Sequence, residues 1–201
     1  EPTAAQGSDG DIYLYYGNKI SNIRMRIYAT RSSNSDTQVA EVQLLDSSDN
    51  VIAWGDGVAT SNGNVYSANQ KAEKAFDGIT SDKWYTNSKP SIGEPIWIDF
   101  KFETPLNPTD IAKWRWWTAN DSTNRDPVTF DLAVKIVGTS NYIILDSAEN
   151  ETITTSRNAL AYTKSIAFSG SSDIITNVLL KVSGAWQNLI GSDINDVGGI
   201  S

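Results

Sequence analysis

Asp77, Thr80, Ser81 and Asp82 crowd four oxygen-bearing side chains into a polar loop between Ala75-Phe76 and Trp84. Carboxylates, hydroxyls and loop carbonyls are what a hard cation such as Ca2+ gathers, about six to eight oxygens at a time. The same groups can instead hold the loop by side-chain-to-backbone bonds, and residue type alone leaves both readings standing. A second set of residues suits a different chemistry. Trp54, Tyr66, Trp84, Tyr85 and Trp117 are aromatic, and Asn87, Asn120, Asp121, Asn124 and Arg125 carry planar polar groups. Stacking on an apolar sugar face, with amide, carboxylate or guanidinium groups meeting the hydroxyls, needs both kinds. Trp84, Trp114 and Trp116 have core packing as their ordinary role. Alternation or loop context turns Trp117 and Tyr85 outward, and Arg125 has Asp126 or a neighbouring strand as a competing partner.

Composition narrows the chemistry further. The 201 residues contain no His and no Cys. That excludes a Ser-His-Asp hydrolase and thiol catalysis, and leaves zinc without its usual ligands. No Gly-x-Ser-x-Gly elbow and no phosphate-binding Gly-rich Lys loop is present. The segment 46–56 fails the EF-hand pattern because Val51 stands where Gly is required. With 24 acidic residues some carboxylate pair always suits a glycosidase, so such a pair carries no information. The expectation is a chain that is not an enzyme. A net charge of −8 argues against nucleic-acid and anionic-membrane partners. The opening Glu-Pro-Thr-Ala-Ala-Gln-Gly-Ser reads as a linker, and so as part of something longer.

The elements that must position these residues read as strands. Ile96, Ile98, Phe100 and Phe102 alternate with Trp97, Asp99 and Lys101, a period of two with one buried face. Ile23, Met25 and Ile27 alternate with Arg24, Arg26 and Tyr28. Phe130, Leu132, Val134 and Ile136 form a third face, and Ala112, Trp114 and Trp116 a fourth. Residues 39–45 read as one strand, 51–54 as a short return, and 11–16, 142–145, 153–155 and 164–168 as shorter strands. Residues 55–69 read as a long loop of the kind that carries function. Residues 70–76 are the one helix expected, ended by Asp77-Gly78, because glycine takes the positive φ of a helix exit.

Ala75-Phe76-Asp77-Gly78, Trp84, the strand 95–102 and the step Arg125-Asp126-Pro127 to Phe130 together resemble the discoidin (coagulation-factor C-type) domains and their carbohydrate-binding, galactose-binding-like relatives. The resemblance covers residues 22–168 and implies an all-β jelly-roll β-sandwich. It also implies a structural Ca2+ under the Asp-Gly turn. The positions matching its ligands are Asp77, Asp82 and Glu41 by carboxylate, and Lys74, Ile79 and Ala40 by carbonyl. It places a sugar site in loops at one end of the sandwich, for which Trp117, Tyr85, Asn120, Arg125, Trp54 and Tyr66 are the candidates.

The order of pieces departs from that family. The strand pair formed by residues 23–30 and 38–45 comes first here and last there, which a circular permutation explains, since jelly-roll termini lie close together. This arrangement resembles that of bacteriophage tail and fibre proteins. So do the ends: Gly-Asp-Ile-Tyr at 10–13 and Lys-Val-Ser-Gly-Ala-Trp at 181–186 look like two halves of one fibre motif, with residues 174–190 pairing with 11–16. The expected division is therefore 1–20 as linker and strand, 21–169 as the sandwich, and 170–201 as a small terminal β-hairpin appendage. The resemblance implies a virion module that binds host-surface carbohydrate, or one that joins other virion proteins, or an accessory domain of a secreted bacterial protein. Trimeric assembly would follow by the same resemblance.

Overall fold

The computed structural model describes residues 12–14, 19–33, 35–166, 178–182 and 185–188. The chain divides into two compact units, Glu1–Asn18 with Phe168–Ser201 and Lys19–Ala167. Its strands, in chain order, are β1 Ile12–Leu14, β2 Ile20–Thr30, β3 Thr37–Val39, β4 Glu41–Leu45, β5 Val58–Ser61, β6 Trp84–Thr86, β7 Ile96–Leu106, β8 Lys113–Trp117, β9 Pro127–Ile136, β10 Tyr142–Ala148, β11 Leu160–Ser165, β12 Val178–Val182 and β13 Ala185–Asn188. The fold class is all-β.

In the smaller unit β1 and β12 pair antiparallel, Ile12 opposite Leu180, and β12 pairs with β13. The remainder of the segments 11–16 and 174–190 lies outside the described residues. The larger unit holds a five-stranded sheet of order β10-β9-β2-β7-β5, a three-stranded sheet of order β11-β8-β4, and the ribbon β3-β6. Every pairing is antiparallel.

The two larger sheets face each other across one core. Ile23, Met25, Ile27, Ile98, Leu132, Val134 and Ile136 are buried on one side, and Val42, Leu44, Trp114 and Trp116 on the other. Phe130 joins them, its ring 6.0 Å from Trp114 and 5.6 Å from Trp116, both edge-to-face. A second aromatic cluster closes the end near β5, where Trp54 lies 4.8 Å from Phe76, 4.9 Å from Phe100 and 5.7 Å from Phe102. Edge-to-face and offset contacts of this kind add about 0.5–1.5 kcal/mol per pair to burial itself.

Several elements differ from the sequence expectation. The helix expected over 70–76 is replaced by two short 3-10 turns, Ala68–Gln70 and Ala72–Ala75, and further turns occur at Pro108–Asp110 and Thr123–Arg125. The segment is too short to propagate an α-helix and has only Ala72 and Ala75 to bury in the second turn. Gly78 does take a positive φ of 79° at its exit. The loop expected over 55–69 contains β5, which pairs with β7 at the sheet edge. The strand expected over 39–45 breaks at Ala40, and its halves join different sheets. The short return at 51–54 contributes only a bridge from Val51 to Leu45. No strand forms at 153–155. The segment 142–145 extends into β10; of the strand expected over 164–168, Lys164 and Ser165 end β11, which starts at Leu160, and 167–168 lie outside the described residues.

Candidate functional site

Three loops converge on the β3-β6 ribbon. The ribbon sets Gln38 opposite Tyr85 and Thr37 opposite Thr86. A bridge from Val65 to Thr86 lays the loop carrying Tyr66 beside β6. The Tyr66 ring meets Tyr85 edge-on at 5.1 Å and is 65% exposed. The Arg125 guanidinium covers the Tyr85 ring at 4.7 Å, and the Lys83 ammonium stands 5.4 Å from the same ring. Arg125 arrives from the 3-10 turn Thr123–Arg125, whose loop also carries Asn120 and Asp121, both exposed.

A polar network fixes this group from below. Tyr85 donates its hydroxyl to Asp36 at 2.7 Å. Lys83, 5% exposed, holds Asp121 at 2.6 Å and donates to the side-chain Oε1 of Gln38 at 3.0 Å. Gln38 in turn donates to the Ser122 carbonyl at 2.9 Å. Burial, and then the bond to Asp36, push the Tyr85 phenol up to about 12. Burial alone would raise the Asp121 carboxyl, but the bond and charge of Lys83, with Arg125 and Gln38, outweigh it and hold Asp121 below the usual carboxylate range. Arg125 reaches Asp121 at 3.5 Å and Asp36 at 3.9 Å, so it is steered by both and saturated by neither.

The loop is pinned at its far end by Asp126, which is 0% exposed. Arg157 grips it with two nitrogens at 2.9 and 2.6 Å, and Arg31 adds a third contact at 3.4 Å. Arg157 also donates to the Asp121 carbonyl at 2.8 Å, and Arg31 to the Ile153 carbonyl at 2.8 Å. Two guanidiniums therefore lock the 119–126 loop to the 153–158 loop through one carboxylate. The sequence offers Arg125 either Asp126 or a neighbouring strand as a competing partner; Arg125 reaches Asp121 and Asp36, and Asp126 is held by Arg31 and Arg157, distant in the chain and invisible to spacing.

Of the residues expected to meet a sugar, Tyr66, Tyr85, Arg125 and Asn120 gather at this end. Tyr85, expected to turn outward, is only 6% exposed because Tyr66, Arg125 and Asp36 surround it. The open ring is that of Tyr66. Trp54 is a core residue: it is 9% exposed, its ring packs on Phe76, Phe100 and Phe102, and its indole N–H donates to the Val42 carbonyl at 3.2 Å. Trp117 stands on the outer face of β8, opposite Glu41 in the register, with the Arg115 guanidinium 4.8 Å from its ring.

The second constellation lies under the Asp77-Gly78 turn. Glu41, Asp77 and Gly78 line one recess of about 490 Å³ together with Gln43, Trp54 and Phe76. Glu41 is 0% exposed, and neither of its carboxylate oxygens has a hydrogen-bond partner. Burial pushes its carboxyl up to about 8, although the amides of Gly78 and Asp77 are near enough to pull it partly back. Asp82 likewise has one buried oxygen, Oδ1, without a partner. The Lys74 ammonium bridges Asp77 at 2.8 Å and Asp82 at 2.6 Å, and those bonds hold it above the ordinary lysine range. Among the described residues no three His, Cys, Asp or Glu side chains stand close enough together to hold a metal by themselves. A cation here would need main-chain oxygens as well.

No protein-family model, no curated protein and no solved structure matches the chain.

Proposed function

We propose that the larger unit is a non-catalytic carbohydrate-binding module of discoidin-like, jelly-roll type, carried on a virion and directed at host-surface glycans. One observation carries this reading: an exposed tyrosine ring, Tyr66, stands edge-on to a second tyrosine at a loop-built end of the sandwich. Arg125, Asn120 and Asp121 are grouped beside it. A pyranose stacked on Tyr66 would present hydroxyls to those groups. Single-site affinity of such a shallow surface is weak, and repeated copies on one particle would raise it through effective concentration.

The orphaned oxygens of Glu41 and Asp82 support a structural Ca2+ beneath the Asp77-Gly78 turn. Glu41 is a fully buried carboxylate with no counter-charge, which is costly, and a hard cation is the partner that fits an all-oxygen set. Glu41, Asp77 and Asp82 would hold it by carboxylate, with the carbonyls of Ala40, Lys74 and Ile79 completing the set and the Lys74 side chain released. Its role would be to stiffen the loop that leads into β6.

The pairing of β1 with β12 favours a second role, a joint to other virion proteins made by the smaller unit. A glycan array that includes bacterial surface polysaccharides, probed with multivalent protein in Ca2+ and again in EDTA, tests the reading. Binding that disappears in Tyr66→Ala and Arg125→Ala is the expected result. Absence of binding to every glycan overturns it in favour of the joint.

A further inference from the structure

The solvent face of the five-stranded sheet is built unlike an ordinary outer face. Asp99 and Asp131 sit on it yet are each 3% exposed, roofed by their own partners. Asn22 at 2.7 Å, Arg24 at 3.0 Å and the Tyr142 hydroxyl all converge on Asp99. Arg26 grips Asp131 with two nitrogens at 2.8 and 2.7 Å, and Tyr28 donates to it at 2.8 Å. The Arg24 guanidinium is held between two rings, 3.9 Å from Trp97 and 4.0 Å from Tyr142. Tyr142 reaches this position from β10, across β9, where its own Cα partner is Lys135 and the partner of Arg24 is the small Ala133.

The result is a fixed cation with an unused edge. Arg24 spends Nε on Asp99, and its two terminal nitrogens make no hydrogen bond among the described residues. That edge borders a groove of about 630 Å³ lined by Trp97, Arg26, Asn62, Lys89 and Glu94 among others. The groove's charged lining is Arg24, Arg26 and Lys89 against Glu94; Asp99 and Asp131 pair with the two arginines from beneath the lining, which leaves Lys89 and the outward edge of Arg24 to meet an anion. The volume is that of a small-ligand site. A guanidinium fork clamped between rings suits a planar carboxylate, and an indole beside it suits the apolar face of a sugar.

We infer that this groove is a second saccharide site, selective for a sugar bearing a carboxylate, with Trp97 as the stacking wall and Arg24 and Lys89 as the anion contacts. It is independent of the loop site at Tyr66 and stands or falls without it.

Titration calorimetry with trigalacturonate and with uncharged galactotriose is the test. The wild-type protein should bind trigalacturonate more tightly than galactotriose, and the difference should shrink as salt is raised. Trp97→Ala and Lys89→Glu should each weaken trigalacturonate binding by about tenfold or more. Lys89 is exposed and without an ion-pair partner among the described residues, so its variant keeps the test valid should Trp97→Ala fail to fold. Equal affinity for the two saccharides overturns the inference. So does unchanged binding in Lys89→Glu, or no saturable trigalacturonate binding at about 10 mM, the weak limit of such sites.

Discussion

Replacing Glu41 by glutamine should abolish a pH dependence of stability that the wild-type protein shows in EDTA. Glu41 is 0% exposed with both oxygens unpartnered, and burial pushes its carboxyl up to about 8 from an ordinary value of 4.5. The folded state therefore binds the proton more tightly than the unfolded state. Stability linked to this group is fully present below about pH 4.5, falls as the pH rises, and levels off above about pH 8. Integrating between those two values gives a penalty on the order of 3 kcal/mol at pH 7 and about 1 kcal/mol at pH 5. Between pH 5 and pH 7 the wild type should thus lose on the order of 2 kcal/mol relative to Glu41→Gln.

The difference between the two proteins is the informative quantity, because every other titrating group is common to both. A glutamine amide in the same recess introduces its own offset, but that offset does not vary with pH. Urea unfolding at pH 5, 6, 7 and 8 in EDTA, with m unchanged between the proteins, reads the difference directly from the midpoints. Added Ca2+ should then remove the wild-type slope, since the cation binds the ionised carboxylate and relieves the charge burial, and it should leave Glu41→Gln unaffected. Parallel wild-type and variant curves in EDTA would refute the burial argument. A persistent slope indifferent to Ca2+ would keep the buried acid and refute the cation.

Asp126→Ala should destabilise the larger unit by about 3 kcal/mol, because it leaves two guanidiniums that were matched to one fully buried carboxylate; chemical unfolding measures it. The same change should weaken glycan binding at the Tyr66 site without touching it, since the 119–126 loop loses its anchor, whereas Tyr66→Ala should weaken binding and leave the unfolding midpoint within about 0.5 kcal/mol of wild type. Gly57→Ala should cost about 1–3 kcal/mol: the added Cβ would stand 2.4 Å from the Lys101 carbonyl oxygen and 2.3 Å from the Phe100 ring, so β5 must shift off β7. Thermal unfolding compared with an alanine change at Gly93, where a Cβ meets nothing within 4 Å, isolates that contact.

What could be read in advance follows from where the information lies in the chain. The inner faces of β2, β7, β8 and β9 are legible because large apolar side chains recur every second residue in each strand, and Trp114 and Trp116 at 0% exposure stand where alternation puts them. β5 was not legible: of Val-Ala-Thr-Ser only Ala59 is buried, so an edge strand with a single inward residue has no period to detect. Tyr85 misled for a different reason. In β3 and β6 all six residues are buried, so both faces of the ribbon are covered and alternation says nothing about which side meets solvent. The polar networks were beyond reach altogether. Arg157 and Asp126 are 31 residues apart, Arg26 and Asp131 105 apart, and Arg24 and Asp99 75 apart. Such pairs are set by strand order and register, not by any local pattern, so a reading of motifs finds the aromatic and acidic candidates but not the arginines that hold them. That is also why Asp99, read only as the outward residue of a strand, turns out to anchor Arg24 beneath a groove. Its partners come from β2 and β10, and only the assembled sheet brings them to one carboxylate.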